Sequence, residues 1–422
     1  MDQTLNDPQY LRHVTDLAEK HEVVAHTAIF SRQGIKLVDS GHRITRALYD
    51  KLVQHKLLPS LDESLMVSDM VTPQWLMQAI EGMLAEEPAF AALLPQDVER
   101  HGVIRGFAAL PLSDPLAFKL TVAREERPEI LRHSLEVAWC AAALAHHSHL
   151  ANHEVINAAA AGLFHDLGLL HVDPALLNNT RPLQEHERHY LYSHPLTSYL
   201  ILESSPVWHP VVSTAVLEHH ERIDGSGYPK GLSGGSLSPL GQLLAVAELA
   251  ATLLAHTGGH ASRQRLGIVL RMNEGKLDHG FSSRLLNIFP PEPPKGAPPH
   301  SLGEVLEILV DLSIVFLRWR ALERSTPAAP VTGFIAARLT HLERCLADVG
   351  IDLEYWAALD ADIEFDRLAL DEMAIAAREG VWQLHAIAHE IRRRWNPRQK
   401  NGAPVAAEVS EWLDSLDTLR PG

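Results

Sequence analysis

Apolar residues recur three and four positions apart over most of this chain, the spacing that lines one face of an α-helix. Over 106–289 the pattern predicts helices at 128–150, 154–167, 184–203, 207–221 and 239–256, with a glycine-rich loop at 223–238. The last stretch, 300–422, predicts helices at 302–323, 331–349, 366–394 with a break at Gly380, and 403–419. Only the first 105 residues mix periods. There, 22–30 and 35–38 read as strands about a turn at Arg32, Gln33 and Gly34; a second turn follows at Ser40 and Gly41, and a helix begins at Ile44. Thr72 reads as an N-cap with Pro73 at the first helical position, opening a helix to about residue 84 that buries Leu76, Ile80 and Met83.

The predicted fold is therefore mostly α. A small α+β module at 1–105, regulatory or dimerising, precedes a helical domain at 106–289; a linker at 290–299 leads to a helical C-terminal extension at 300–422. The linker prediction rests on FPPEPPKGAPP, ending at Pro299, whose six prolines in eleven residues cannot continue a helix.

Composition narrows the function. At 422 residues the chain can hold two or three domains, and 46% hydrophobic with 6% aromatic content suits helices rich in Ala and Leu. A formal net charge of -16 argues against a nucleic-acid polymer as partner, since binding one needs a basic surface. An anionic ligand would have to be drawn locally, by metal or by a few arginines. Cys140 and Cys345 lie far apart and suggest no disulfide framework. The N-terminal MDQTLNDPQYL lacks a basic flank before an apolar core, and no apolar run reaches the ~18 residues of a membrane span. The expectation is a cytoplasmic protein without a membrane anchor.

Histidine changes the picture, with 26 in the chain. The middle stretch holds Glu129 and His133, His165 and Asp166, His194, His219 and His220, and Glu248. Glu129 and His133 are four apart and so share a helix face. Successive stations lie about one helix and its connection apart, so each helix can bring one or two ligands to a shared centre. Imidazole and carboxylate suit iron, manganese, cobalt, nickel or zinc. Asp166 can bridge two ions, and a hydroxide held between them is nucleophilic at neutral pH and suited to phosphate-ester hydrolysis.

These motifs, HD at 165–166, HP at 194–195, HHE and DGSGYP over 219–229 and HS at 133–134, resemble the HD-GYP subgroup of HD-superfamily metal-dependent phosphohydrolases across roughly 120–289. The resemblance implies an all-helical HD-type domain with two or three divalent ions, iron or manganese, hydrolysing cyclic di-GMP to pGpG and, in some members, GMP. Carried over, His133, His165, Asp166, His194, His219 and His220 match the family's metal ligands, with Asp166 bridging. Glu129 matches the extra glutamate of trinuclear members, and Glu248 stands where the family has the aspartate of VAD.

The chain also departs from the family. Leu169 replaces the lysine of HDIGK, Asn179 occupies the place of the following lysine with Arg181 two positions on, and LAATLLAH replaces the DALTS segment. The alternative to turnover is accordingly a degenerate module that binds metal and nucleotide; a third reading is hydrolysis of another phosphate ester. Gly225, Gly227 and Gly231 give the loop backbone freedom, Arg222 is the candidate phosphate clamp, and Arg181 and Gly225 complete the candidate substrate contacts. The family also implies contacts of the GYP surface with GGDEF-domain cyclases, which would give Tyr228 a partner as well as a substrate role. Homodimerisation is a further expectation. His146, His147, His149 and His153 cluster at a helix end as solvated residues, and His385, His389 and Glu390 lack the HExxH order.

Overall fold

Small residues decide how closely the central helices approach. In the computed structural model, which describes residues 8–177, 183–205, 207–255, 260–289, 301–326, 329–353, 367–395 and 406–419, helices dominate and the strands are short. The chain forms α1 (Pro8–Lys20), β1 (Val23–Ala25), β2 (Ile29–Ser31), β3 (Lys36–Val38), α2 (Tyr49–Val53), β4 (Leu57–Leu58), α3 (Leu61–Ser64) and β5 (Leu65–Val67). Next come α4 (Pro73–Glu86), α5 (Pro88–Ala91), α6 (Asp97–Ala108), α7 (Asp114–Glu126), α8 (Pro128–His147) and α9 (Asn152–Phe164). After a 3-10 turn at Leu167–His171 follow α10 (Glu185–Leu191), α11 (His194–Glu203), α12 (Pro210–Glu218) and α13 (Pro239–Ala255). The rest is α14 (His260–Met272), α15 (His279–Ile288), α16 (Leu302–Ser325), α17 (Pro330–Asp348), α18 (Arg367–Arg394) and α19 (Ala407–Leu416).

Packing divides the chain into two units differently from the sequence-based segments. The first holds 1–222 and 228–255; the second holds 223–227 and 256–422. Residues 1–105 and the central helices share one unit because α7, buried from Leu116 to Ala123, packs on α1, α3 and α8. Helices α1, α6 and α7 are not among the elements expected from the hydrophobic pattern. The proline-rich linker at 290–299 lies outside the described residues.

In the first unit, the strand predicted at 22–30 breaks after Ala25. β1 pairs antiparallel with β5, while β2 pairs with both β3 and β4. The β2–β3 turn closes through Gly34, at φ +82°, as expected. Helix α4 starts as predicted: Thr72 accepts a hydrogen bond from the Trp75 amide, and Leu76, Ile80 and Met83 are buried. The tightest contact joins α8 to α9. A Cβ on Gly162 would stand 2.6 Å from the Ala138 Cα, so the AAAAG run lets two backbones touch.

A buried polar group fastens α1 to the turn after α9. The Tyr10 hydroxyl donates to Asp62, Lys119 Nζ pairs with Asp62 at 2.8 Å, and the Tyr10 ring stacks on His171 at 4.8 Å. Removing water from these charges costs energy, so the pair constrains arrangement more than it adds stability. Burial and Lys119 hold the His171 pKa well below its ordinary value; burial and Arg127 bring that of His13 to about 4.

The second unit packs α14 to α19 around Leu309, Leu312, Ile335, Leu342, Leu384 and Ile391. The break predicted at Gly380 is absent. Helix α18 runs through it because the missing side chain lets Leu312 and Leu346 close on the backbone, a Cβ there lying 3.4 Å and 3.3 Å from their methyls.

Two outcomes are expected. Gly162→Leu forces α8 and α9 apart and costs about 1–3 kcal/mol or more in urea unfolding, since overpacking cannot relax against backbone. Acid should also destabilise the first unit. His13 and His171 are neutral when folded and protonate when unfolded, so stability is full above pH ~6.5 and falls as pH drops from there toward about 4. Urea midpoints measured across that window should decline less steeply for His13→Gln.

Candidate metal centre

Helix ends, not helix middles, deliver most of the candidate ligands. Helix α9 stops at Phe164, so His165 and Asp166 follow at its C-terminus; α12 stops at Glu218, so His219 and His220 do the same. The helix predicted over 184–203 divides into α10 and α11 because Pro195 can occupy only the first turn of a helix. That division sets His194 at the start of α11. His133 on α8 and Glu248 on α13 complete the set from within helices.

The ligand atoms form two groups that Asp166 joins. His133, His165 and Asp166 make one, and His194, His219 and His220 the other, the ligand atoms in each lying within 4.8 Å of one another. Asp166 Oδ2 stands 3.2 Å from His165 Nε2, while Oδ1 stands 3.2 Å from His194 Nε2 and 3.8 Å from His219 Nε2. Glu248 meets His133 Nε2 at 3.0 and 3.1 Å and His165 Nε2 at 3.1 Å. The longer side chain thus reaches the group where the family has an aspartate.

Hydrogen bonds on the far side of each ring choose the coordinating nitrogen. Nδ1 of His165 donates to the Gly162 carbonyl at 2.8 Å, that of His194 to Leu191 at 2.8 Å, and that of His219 to Val216 at 2.6 Å. With Nδ1 protonated, neutral rings turn their Nε2 lone pairs inward. His194 and His219 then oppose two lone pairs across 3.3 Å, an arrangement that needs a cation. Two nitrogens bound to one ion at ~2.0–2.1 Å stand roughly 3.0–3.4 Å apart. The residues therefore fit a metal.

Electrostatics agree. Burial, helped by His165 and His194, lowers the His219 pKa to about 3, and burial with His219 puts that of His220 well below its ordinary value, so both present lone pairs. Burial would raise the Asp166 and Glu248 carboxyls, but the adjacent histidines outweigh it and hold both well below the usual range. At His165 burial works against charge, yet Asp166 and Glu248 prevail and raise its pKa well above normal. A position that draws a proton between two carboxylates is one where a metal cation can replace it.

Other expectations fare differently. Glu129 is not brought into either group: its side chain is 63% exposed and pairs with the buried Arg127 at 2.5 Å. Sharing a helix face with His133 was insufficient because Arg127 intercepts the carboxylate. Arg222 Nη1 donates to the carbonyls of His219 and Glu221, at 3.1 and 2.8 Å, so part of its fork supports the ligand-bearing backbone. Gly225 adopts φ +77°, and its carbonyl accepts from Arg394 within the second unit. The Tyr228 ring stacks on His220 at 4.6 Å and on Tyr192 at 4.2 Å. Leu169 lies half-buried on the 3-10 turn. Arg181 and Asn179 lie outside the described residues.

Sequence reasoning missed the loop's supports. The Glu221 carboxylate accepts from the amides of Lys230, Gly231 and Leu232, at 2.6, 3.1 and 2.9 Å. Glu218 accepts from the amide and hydroxyl of Ser238, at 2.8 and 2.6 Å. Gly168 gives its amide to Ser198 Oγ and leaves room for the His194 carbonyl, which a Cβ would meet at 2.3 Å. Acidic residues next to two ligands were the available signal.

Comparison with known proteins points the same way. The HD domain family model matches residues 116–279. A cyclic di-GMP phosphodiesterase from Pseudomonas aeruginosa is 35% identical over 117 residues, 28% of this chain and 28% of that protein. The 3'3'-cGAMP-specific phosphodiesterase 3 of Vibrio cholerae is 26% identical over 206 residues, 47% of this chain and 44% of the relative. The chain thus spans less than half the length of either relative. Among solved structures, an HDG"Y"P protein from Bdellovibrio bacteriovorus aligns at 19% identity with a TM-score of 0.35, covering 51% of this chain and 71% of that one.

Metal analysis after anaerobic loading with manganese or iron should find about two ions per chain. Asp166→Asn should lower that content at least by half, because the carboxylate facing both groups loses its charge, while Glu129→Ala should leave it unchanged.

Proposed function

We propose, from the match of residues 116–279 to the HD domain family model, that this protein is a metal-dependent phosphodiesterase that opens cyclic di-GMP to linear pGpG and, with a second hydrolysis, GMP. The observation that carries the proposal is one carboxylate, Asp166, addressing two separate histidine groups through its two oxygens. Two ions so held suit in-line attack on a phosphodiester. When bound, they neutralise the phosphoryl oxygens and acidify the attacking water. One water is consumed: its oxygen bonds to phosphorus, the bond from phosphorus to the 3' oxygen breaks, and that oxygen leaves as a hydroxyl.

The chain's own residues hold and orient. His133, His165, His194, His219, His220 and Glu248 would hold the ions, and Asp166 would offer one oxygen to each histidine group. Arg222, anchored beside His219, adds positive charge near His220 and Tyr228 and steers a phosphate toward the centre. Tyr228, stacked between His220 and Tyr192, steadies the His220 ring and leaves its edge, not a ring face, for a substrate. The GYP sequence with Tyr228 is the surface a GGDEF-domain partner would contact in the same reading. No described helix is long and apolar enough to cross a membrane, and both cysteines are free and buried, in keeping with work in the cytoplasm.

Leu169 favours one second reading. An apolar side chain where the family has a lysine supplies no charge to a phosphate, so the protein would bind nucleotide and metal and signal through partners with slow or no turnover. A lost charged hydrogen bond of about 1.5–3 kcal/mol corresponds to roughly 10–150-fold in rate.

Purified protein loaded with manganese or iron, given cyclic di-GMP, 3'3'-cGAMP and pGpG in parallel, tests both readings. The phosphodiesterase reading expects linear product that disappears in His165→Ala, and a tenfold or greater rise in Leu169→Lys. Tight calorimetric binding of cyclic di-GMP without product, in both the wild type and Leu169→Lys, would select the binding module.

A further inference from the structure

Helix α16 is apolar on two faces, and among the described residues only one of them is covered. Val305, Ile308, Leu309, Leu312, Val315, Phe316 and Trp319 enter the core of the second unit. On the other side Val310, Ile314 and Leu317 are 44%, 42% and 50% exposed, with the exposed Ala321 continuing the row. Their spacing of four, three and four residues is the seam of a helix that meets another helix.

The charges beside this seam are segregated along the helix. Glu307 and Asp311 lie toward its N-terminal end, Arg318 and Arg324 toward its C-terminal end, and all four are exposed. None of the four forms an ion pair among the described residues. A parallel copy would set Asp311 against Asp311 and Arg318 against Arg318. An antiparallel copy, turned about a two-fold axis midway between Val315 and Phe316, sets Val310 against Ala321, Ile314 against Leu317, and the acidic end of each helix against the basic end of the other. The row is also self-complementary under that operation, as an isologous interface requires.

We infer that the exposed face of α16 is a homodimer interface, occupied by α16 of a second copy of this chain in antiparallel orientation. The apolar row supplies the hydrophobic contact, and the Asp311–Arg318 pairs on either side set direction and register. The surface lies on the C-terminal unit, so the dimer does not depend on the metal centre's being filled.

Sedimentation velocity on the full chain over a micromolar concentration series tests the inference. The wild type is expected to sediment as a dimer of the 46.7 kDa chain. Ile314→Asp with Leu317→Asp should raise the dimer dissociation constant at least tenfold with an unchanged circular dichroism spectrum and thermal midpoint. Val98→Asp, which alters another exposed apolar residue in the first unit, should not change it. Asp311→Arg or Arg318→Asp alone should weaken association severalfold, and the two together should restore it. A wild type monomeric throughout, a dimer indifferent to the Ile314 and Leu317 changes, or a double charge swap weaker than either single one would overturn the proposal.

Discussion

Everything in the first unit that matters chemically depends on one electrostatic demand: lone pairs and negative oxygens have been turned toward each other. Left alone, His194 and His219 would repel across 3.3 Å, and Asp166 would sit in a buried site with its charge answered only by protons. Burial of that much polarity is expensive unless a cation is shared among the groups. The fold accepts that cost through small, local devices. Three imidazoles are each oriented by the carbonyl three residues earlier, which is simply the unsatisfied carbonyl that a helix end offers.

The scaffold is built to hold those helix ends still. Gly162 lets α8 and α9 touch along their backbones, which fixes His133 relative to His165; Gly168 does the same for the turn after Asp166 against α11. Glu218 and Glu221 flank the two histidines that end α12 and tie down the segment that follows. Rigid placement matters because metal ligands tolerate little displacement, and an ordered ligand set loses little entropy when an ion arrives.

Much of this could be read before any coordinates. Histidine and aspartate in adjacent pairs, at the ends of apolar runs, have few uses in a core other than ligation, so seven of the eight proposed ligands converge as the spacing suggested. Glu129 did not, because periodicity reports which face a residue occupies and says nothing of a neighbour such as Arg127 that captures it first. Helices α9 and α12 end three residues earlier than expected, at Phe164 and Glu218, because hydrophobic period fixes a helix's face more closely than its last residue. The pairing of β1 with β5 was illegible, since partners more than forty residues apart carry no local mark. Gly380 was read as a break although packing against Leu312 and Leu346 gives its small size another purpose.

The five residues 223–227 belong to the second unit although the chain on either side of them belongs to the first. Asp224 is met by Arg338, 114 positions later, and Gly225 by Arg394, 169 positions later. During synthesis from the N-terminus, those partners are still untranslated when His219 and His220 leave the ribosome. The loop that follows His219 and His220 in the sequence is therefore among the latest parts of the molecule to acquire its native neighbours.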